Sequence, residues 1–141
     1  MSSREDVIAA ARGWLGTPFV HMGDVKGEGV DCAMLLVRVY CDLGLVTPFD
    51  PRPYAQHWYL HQDEERYLAH FLERAHRVKT PKPADLALYR VGRCVSHGAI
   101  VVEDGLAVHA YAVTRRVELI SLEELSRARG FEFHSYWSVF P

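Results

Sequence analysis

The spacing of apolar residues changes once along the sequence, and the order of the two kinds of spacing constrains the fold of this chain most. In the first half, apolar residues recur at the three- and four-residue spacing of helices, whereas in the second half they form short β-rich runs between turn residues. No stretch alternates strand and helix in the βαβ manner, and we find no internal repeat. The pattern predicts one α+β domain over residues 1–141, with N-terminal helices packed on a C-terminal antiparallel β-sheet.

Caps and turn residues predict where the individual elements lie. Ser3 and Asp6 form a capping-box pattern at the start of a first helix, and Ser121 begins a similar pattern before a short helix that should end at Gly130. A middle helix is predicted over 63–78 from its apolar spacing. The second half is expected to form five strands, over 85–90, 94–102, 106–113, 116–120 and 131–139.

Residues 31–43 form the predicted helix of greatest chemical interest. Asp31 is a suitable N-cap, because its side-chain oxygen can accept hydrogen bonds from the N–H groups of the first turn. Cys32 then occupies the first helical position, where the positive end of the helix dipole favours a thiolate. We therefore expect the pKa of Cys32 to lie below that of a free thiol, about 8.5. The alternative interpretation is a buried cysteine in a core helix.

The charge pattern excludes two kinds of binding partner. The net charge is -2 without a basic run, so neither nucleic acid nor an anionic membrane is an expected partner.

Cys32 and Cys41 are nine positions apart on one predicted helix, about 13 Å, which is too far for a disulfide. Reduced thiols, the absence of a signal-peptide pattern and the absence of a membrane-length apolar run predict a chain that is cytoplasmic as synthesised.

Two of the eight histidines have an unusual setting. His97 and His109 each lie in a predicted strand among small or β-branched residues, where burial is unfavourable unless both ring nitrogens find partners. A single strand histidine is more often structural than catalytic, but two of them together with Cys32 match the thiol, base and orienting group of nucleophilic catalysis. The remaining histidines of the middle and last elements are expected to be solvated or to lack such a partner: His57, His61, His70, His76 and His134.

Five short motifs occur in an order that spans nearly the whole chain. They are Gly-Thr-Pro-Phe at 16–19, Val-Asp-Cys at 30–32, Pro-Ala-Asp-Leu at 83–86, Ser-His-Gly-Ala-Ile at 96–100 and Val-His-Ala at 108–110. This set resembles the NlpC-type cell-wall cysteine peptidases, which have a compact papain-like fold. With His21 and the Lys26-Gly27 loop, the chain is most similar to the phage-tail-associated subgroup.

The resemblance implies a function and a role for individual residues. Cys32 would be the nucleophile that forms a thioester, His97 the base and His109 its orienting partner, without a cofactor. The substrate would be the peptide stem of bacterial peptidoglycan, and other phage-tail proteins would be partners of a virion-associated chain. The oxyanion site and substrate cleft are expected to include Phe19, His21, Asp31, Ala33 and Ser96.

Two departures from the family pattern leave alternatives open. Phe19 replaces a tyrosine whose hydroxyl would help to stabilise the oxyanion, so His21 or the backbone N–H of Cys32 must take over that role. Ala33 and Met34 replace the usual Ser-Gly, which narrows the cleft. The first alternative function is a catalytically weak or inactive structural module of a phage tail. The second is a zinc site built from the two strand histidines and a cysteine, although the spacing fits no zinc motif.

The hairpin that joins the two histidine strands decides whether the histidines can meet. A two-residue Asp-Gly turn is the stronger local signal, but it would place His97 and His109 on opposite faces of the sheet. A three-residue loop over 103–105 would place them on one face as diagonal neighbours. We predict the longer loop, with Val102 paired to Leu106 and the shared face turned towards the cysteine.

Overall fold

The computed structural model describes residues 2–54, 69 and 71–141, and two helical segments precede the strands of its main sheet. The helices are α1 (Arg4–Gly13), α2 (Cys32–Leu36), which continues into a π-helical segment (Val37–Cys41), and α3 (Leu122–Ser126). The strands are β1 (Asp24–Val25), β2 (Gly29–Val30), β3 (His76–Val78), β4 (Leu86–Val91), β5 (Cys94–Glu103), β6 (Leu106–Tyr111), β7 (Arg116–Ser121) and β8 (Phe131–Ser138). The α+β prediction is therefore confirmed.

Six strands form one antiparallel sheet in the order β3-β8-β4-β5-β6-β7, while β1 and β2 form a separate two-stranded ribbon directly before α2. Strand β5 lies inside the sheet and is buried from Cys94 to Val102. A strand buried on both faces must carry side chains that suit two different environments, and this requirement shapes the site described below.

The helix α1 begins at the predicted capping box. The Ser3 hydroxyl accepts from the backbone N–H of Asp6 at 3.2 Å, and the Asp6 carboxylate accepts from the N–H of Ser3 at 2.8 Å. Arg4 binds the buried carboxylate of Asp85 at 2.9 Å, which joins the helix to the start of β4. None of the helices within the described residues is both long and apolar enough to span a membrane.

The two faces of β5 and β6 pack against different partners. On one face, α2 approaches so closely that a Cβ added at Gly98 would lie 2.6 Å from Leu36 Cδ1, and Ile100 and Val108 belong to the same large core. Residues alternate between faces in a strand. The other face therefore carries His97 and His109 together with a smaller cluster, which contains Ala87, Tyr89, Ala99, Ala107 and Leu125.

Parts of the predicted element list are wrong. The middle helix was expected over 63–78, but His76–Val78 forms the strand β3 and pairs with β8, because the edge of the sheet offers hydrogen bonds that helix propensity cannot foresee. Most of that predicted helix lies outside the described residues, and the described part is helical at 69 and 71–72. The last helix ends at Ser126 rather than near Gly130.

The hairpin that joins β5 and β6 has a two-residue turn and a β-bulge next to it. Glu103 pairs with Leu106 across a turn at 104–105, so the prediction of a three-residue loop is wrong. The register then shifts between Val101 and Glu103, and Ile100 pairs with Val108. This β-bulge at Val102 adds the one residue that the short turn lacks, so the two histidines share a face after all.

Candidate active site

The His97 and His109 side chains meet inside the sheet. His97 Nε2 lies 2.9 Å from His109 Nδ1, and the rings are almost perpendicular at 88°. His109 is fully buried and His97 is 6% exposed. The prediction that the two imidazoles lie on one face is confirmed, and the contact leaves Nδ1 of His97 to face another group.

Glu118 extends the histidine pair into a row across three strands. His109 and Glu118 are directly paired residues of β6 and β7, and His109 Nε2 lies 3.3 Å from Glu118 Oε1. The sequence analysis missed Glu118. The signal was present, because an antiparallel pairing of Tyr111 with Arg116 across the short turn sets residue 109 opposite residue 118.

Aromatic rings enclose both imidazoles. Tyr111 stacks on His109 with ring centroids 5.0 Å apart, and Phe131 contacts His97 edge-on at 4.9 Å. Burial lowers the pKa of His97 well below its usual value, and the neighbouring charge of His109 acts in the same direction. Burial also lowers the pKa of His109, while the Glu118 carboxylate opposes that shift. Both rings are therefore neutral near neutral pH, as a base that accepts a proton must be.

Cys32 reaches the beginning of β5 from the first position of α2. Its Sγ lies 3.9 Å from the backbone carbonyl oxygen of Ser96, the residue before His97. Ser96 is an extra residue in the strand, because His97 pairs with Tyr89 and Val95 pairs with Arg90. Such bulges often redirect side chains beside active sites. The body of α2 packs on the opposite face of β5, against Gly98, and Cys32 contacts the strand only through the backbone at the Ser96 bulge, so proximity of the thiol to the shared histidine face stays a prediction.

The expected lowering of the Cys32 pKa is wrong. Although part of the residue is exposed, burial of the thiol raises its pKa to about 12, and the Asp31 carboxylate adds to the increase. The backbone N–H groups of Ala33 and Cys32 oppose the shift but do not outweigh it. The favourable effect of the helix N-terminus is outweighed here because the thiol is buried and the N-cap, Asp31, is itself negatively charged. Cys32 is therefore a neutral thiol at rest.

Asp31 connects α2 to two loops. Its Oδ1 accepts from the backbone N–H of Met34 at 2.9 Å, which confirms the predicted N-cap. Its Oδ2 accepts from the backbone N–H of Met22 at 2.8 Å and from the hydroxyl of Tyr54. Sequence reasoning missed Tyr54, because nothing in the local pattern links it to a residue 23 positions earlier. Asp31 thus holds the cysteine and its surrounding loops in one arrangement.

The other predicted cleft residues have mixed positions. Phe19 is partly buried and forms a bridge with Val30 just before the cysteine helix. His21 Nε2 lies 3.1 Å from the backbone carbonyl oxygen of Tyr54, so its proton is used there and does not replace the missing tyrosine hydroxyl. Ala33 is 4% exposed and its side chain packs in the core, so only its N–H belongs to the site.

The zinc alternative does not fit this geometry. The facing nitrogens of His97 and His109 are hydrogen-bonded to each other, so neither is directed at a third ligand. Within residues 2–54, 69 and 71–141, no three His, Cys, Asp or Glu side chains are placed to hold a metal ion. His76 is exposed as expected. His134 was expected to have no partner, but its Nδ1 lies 2.7 Å from the hydroxyl oxygen of Ser135. His57, His61 and His70 lie outside the described residues. None of the three cysteines forms a disulfide.

Comparisons with known proteins bear on the fold. No family model matches the sequence, and no curated protein matches it. Among solved structures, the NlpC/p60 domain of the peptidoglycan hydrolase SagA is 20% identical, with a TM-score of 0.64 over 97% of this chain and 99% of that one. The chain has the NlpC/p60 fold.

Longer proteins contain the NlpC/p60 fold as one part. An NlpC/p60 family protein from Bacillus cereus superposes with a TM-score of 0.70 at 21% identity, over 99% of this chain and 41% of that one. The peptidoglycan hydrolase RipB from Mycobacterium tuberculosis gives 0.66 at 16% identity, over 98% and 65%. The chain thus spans less than two thirds of these two proteins. The resemblance inferred from the five motifs is confirmed at the level of the fold, while membership of the phage-tail subgroup stays a prediction.

Proposed function

We propose that this protein is a cysteine peptidase or amidase that hydrolyses peptide stems of bacterial peptidoglycan. The observation that carries the proposal is the buried His97–His109 pair, 2.9 Å apart on β5 and β6, together with the Cys32 thiol, which lies 3.9 Å from the backbone carbonyl oxygen of Ser96, the residue before His97. Burial of two histidines is unfavourable without such mutual satisfaction, and acyl transfer by a cysteine requires a neutral base that can accept the proton of the thiol. SagA and RipB, which both superpose on this chain, are peptidoglycan hydrolases.

The proposed reaction proceeds by proton transfer from the thiol rather than from a preformed ion pair. His97 Nδ1 accepts the proton of Cys32 as the sulfur attacks the carbonyl carbon of the peptide stem. The protonated His97 then donates that proton to the leaving amine, and the C–N bond breaks to leave a thioester on Cys32. A water molecule, deprotonated by His97, then attacks the thioester carbonyl carbon; the C–S bond breaks, the acid is released, and the protonated His97 returns its proton to the Cys32 sulfur. The raised pKa of the Cys32 thiol and the lowered pKa of His97 agree with a resting state in which both groups are neutral.

Backbone amides are the proposed oxyanion donors. Phe19 lacks a hydroxyl and the Nε2 proton of His21 is used by the Tyr54 carbonyl. The N–H groups of Cys32 and Ala33 both interact with the Cys32 sulfur, so they are main-chain donors beside the atom that would attack the substrate carbonyl. Main-chain donors are fixed by the N-cap at Asp31 and need no reorganisation during the reaction.

Digestion of purified peptidoglycan, followed by mass analysis of the fragments, tests the proposed function. We expect new stem-peptide fragments with the wild-type protein and none with Cys32→Ser, while Cys41→Ser, which changes a buried cysteine elsewhere, should remain active. Absence of fragments with correctly folded wild-type protein would contradict the proposal. The fragment masses would also identify the bond that is cleaved.

A structural module of a phage tail is the second candidate function. Two observations favour it: Phe19 replaces the tyrosine donor, and the pKa of Cys32 is raised to about 12. Alkylation separates the candidates, since a catalytic thiol beside a base should react with iodoacetamide near neutral pH faster than the buried Cys41 and Cys94. Equal and slow alkylation of all three cysteines would favour the module and its tail-protein partners.

A further inference from the structure

We propose that Glu118 is a positioning residue that determines which ring nitrogen of each histidine carries the proton. This inference rests on the proposed function, because its benefit for the reaction is an unprotonated Nδ1 on His97. The supporting geometry is the row formed by His97, His109 and Glu118 on the adjacent strands β5, β6 and β7. The two hydrogen-bond distances along this row are 2.9 Å and 3.3 Å.

The row has only one satisfied arrangement of protons when Glu118 is ionised. A carboxylate only accepts, so His109 must donate to it from Nε2. In a neutral imidazole the other nitrogen is then an acceptor, so His109 Nδ1 must receive a proton from His97 Nε2. His97 in turn keeps an unshared electron pair on Nδ1. The charge at one end of the row therefore prepares the base at the other end.

Without the carboxylate, the reverse arrangement would satisfy the histidine pair equally well. His109 would donate from Nδ1 to His97 Nε2, and His97 would carry its proton on Nδ1, where it could not accept one from Cys32. Water cannot supply the missing acceptor, because His109 is fully buried, whereas Glu118 is 18% exposed. An unpartnered buried N–H is unfavourable, so the reverse arrangement would prevail.

Groups around the row do not duplicate the role of Glu118. Tyr111 presents its ring face to His109, and Phe131 and Tyr89 present rings to His97. Within the part of the chain that the structure describes, Glu118 is the charged group hydrogen-bonded to the pair. The opposing effects of burial and of Glu118 on the pKa of His109 agree with this contact.

Nitrogen-15 NMR of the histidine rings in the full chain tests the inference directly. We expect the Nε2–H form for both His97 and His109 in the wild type at neutral pH, and the Nδ1–H form for both in Glu118→Leu. Glu132→Leu removes an exposed strand carboxylate from β8 and serves as the matched control, with unchanged ring nitrogens. A wild-type protein with Nδ1–H rings, or a folded Glu118→Leu protein that keeps both Nε2–H rings, would overturn the positioning role.

Kinetics with purified peptidoglycan provide a second readout. Glu118→Leu should lower kcat by about 10³–10⁴-fold, the order of effect that a wrong histidine tautomer has in a serine protease. Glu118→Gln keeps an acceptor oxygen and loses the charge, so kcat should fall by about tenfold with KM unchanged and the Nε2–H rings retained. This variant keeps the test available if Glu118→Leu does not fold, and an unchanged kcat in Glu118→Gln would overturn the inference.

The two readouts distinguish the inference from the proposed function. If the ring nitrogens behave as expected but the wild-type protein digests no peptidoglycan, Glu118 still positions the protons and only the proposed function is wrong. If the wild type is active and Glu118→Leu changes neither the ring nitrogens nor kcat, the proposed function stands and the positioning role is wrong.

Discussion

The two faces of β5 and β6 are both buried, but they are stabilised in different ways. On the α2 side, Ile100 and Val108 pack around the close approach of Leu36 to Gly98, so stability there depends on area and volume. On the other side, His97 and His109 are buried by hydrogen bonds that must all be present together. Neighbouring residues of one strand are therefore buried by apolar packing on one face and by a hydrogen-bonded row on the other.

This difference predicts that substitutions on the two faces have separable effects. Changes on the apolar face should lower the free energy of unfolding while the remaining folded protein keeps its activity. Changes on the polar face should mainly reduce kcat, with a smaller effect on the free energy of unfolding. The predictions below test this separation, from the largest expected effect to the smallest.

His97→Ala should have the largest effect. The substitution removes the proposed base, so kcat for peptidoglycan digestion should fall by about 10³-fold or more, which is within the range of general base catalysis. The exposed His76 offers a matched control, and His76→Ala should leave kcat unchanged. A His97→Ala protein with most of its wild-type turnover would remove His97 from the mechanism.

Ile100→Ala should affect stability instead. Ile100 is fully buried in the core under α2, and its truncation should reduce the free energy of unfolding by about 2–5 kcal/mol in a urea titration. Ile100→Val is the graded control and should reduce it by about 0.5–1.5 kcal/mol. The separation of the two faces would be contradicted if folded Ile100→Val lost turnover to the same extent as His97→Ala.

His109→Asn should have an intermediate effect. Asparagine can still accept a hydrogen bond from His97, so we expect kcat to fall by about 10- to 100-fold rather than completely, as for loss of an orienting contact rather than of the base itself. Direct comparison with His97→Ala under the same conditions measures the difference. Equal and total loss in both variants would show that the two histidines do not have separate roles.

Acid should destabilise the polar face by a smaller amount. The pKa values of His97 and His109 are lowered in the folded protein, so below about pH 6.5 the unfolded chain binds more protons than the folded one. The free energy of unfolding should therefore decrease as the pH falls, by at most about 1.4 kcal/mol per pH unit for each proton. Urea titrations at pH 7 and pH 5.5 should show a smaller decrease for His109→Asn than for the wild type, and identical decreases would contradict burial of neutral His109.

The sequence alone predicted the features that depend on neighbouring residues. The capping box at Ser3, the N-cap at Asp31, the change of period and the β-rich runs follow from local hydrogen bonds and side-chain alternation. The choice of His97 and His109 from eight histidines also came from their local setting, and the structure brings their ring nitrogens together. Their catalytic roles stay predictions.

The tertiary structure decided what depends on residues far apart in the chain. The bulge at Val102 corrected the register that the short turn alone would have given, since a strand adjusts to both of its neighbours. The raised pKa of Cys32 arises from burial beside Asp31, which no helix-dipole argument includes. Glu118 became part of the site only when β7 paired with β6. Strand register and the desolvation of titratable groups are set by the whole fold, so they cannot be predicted from neighbouring residues in the sequence.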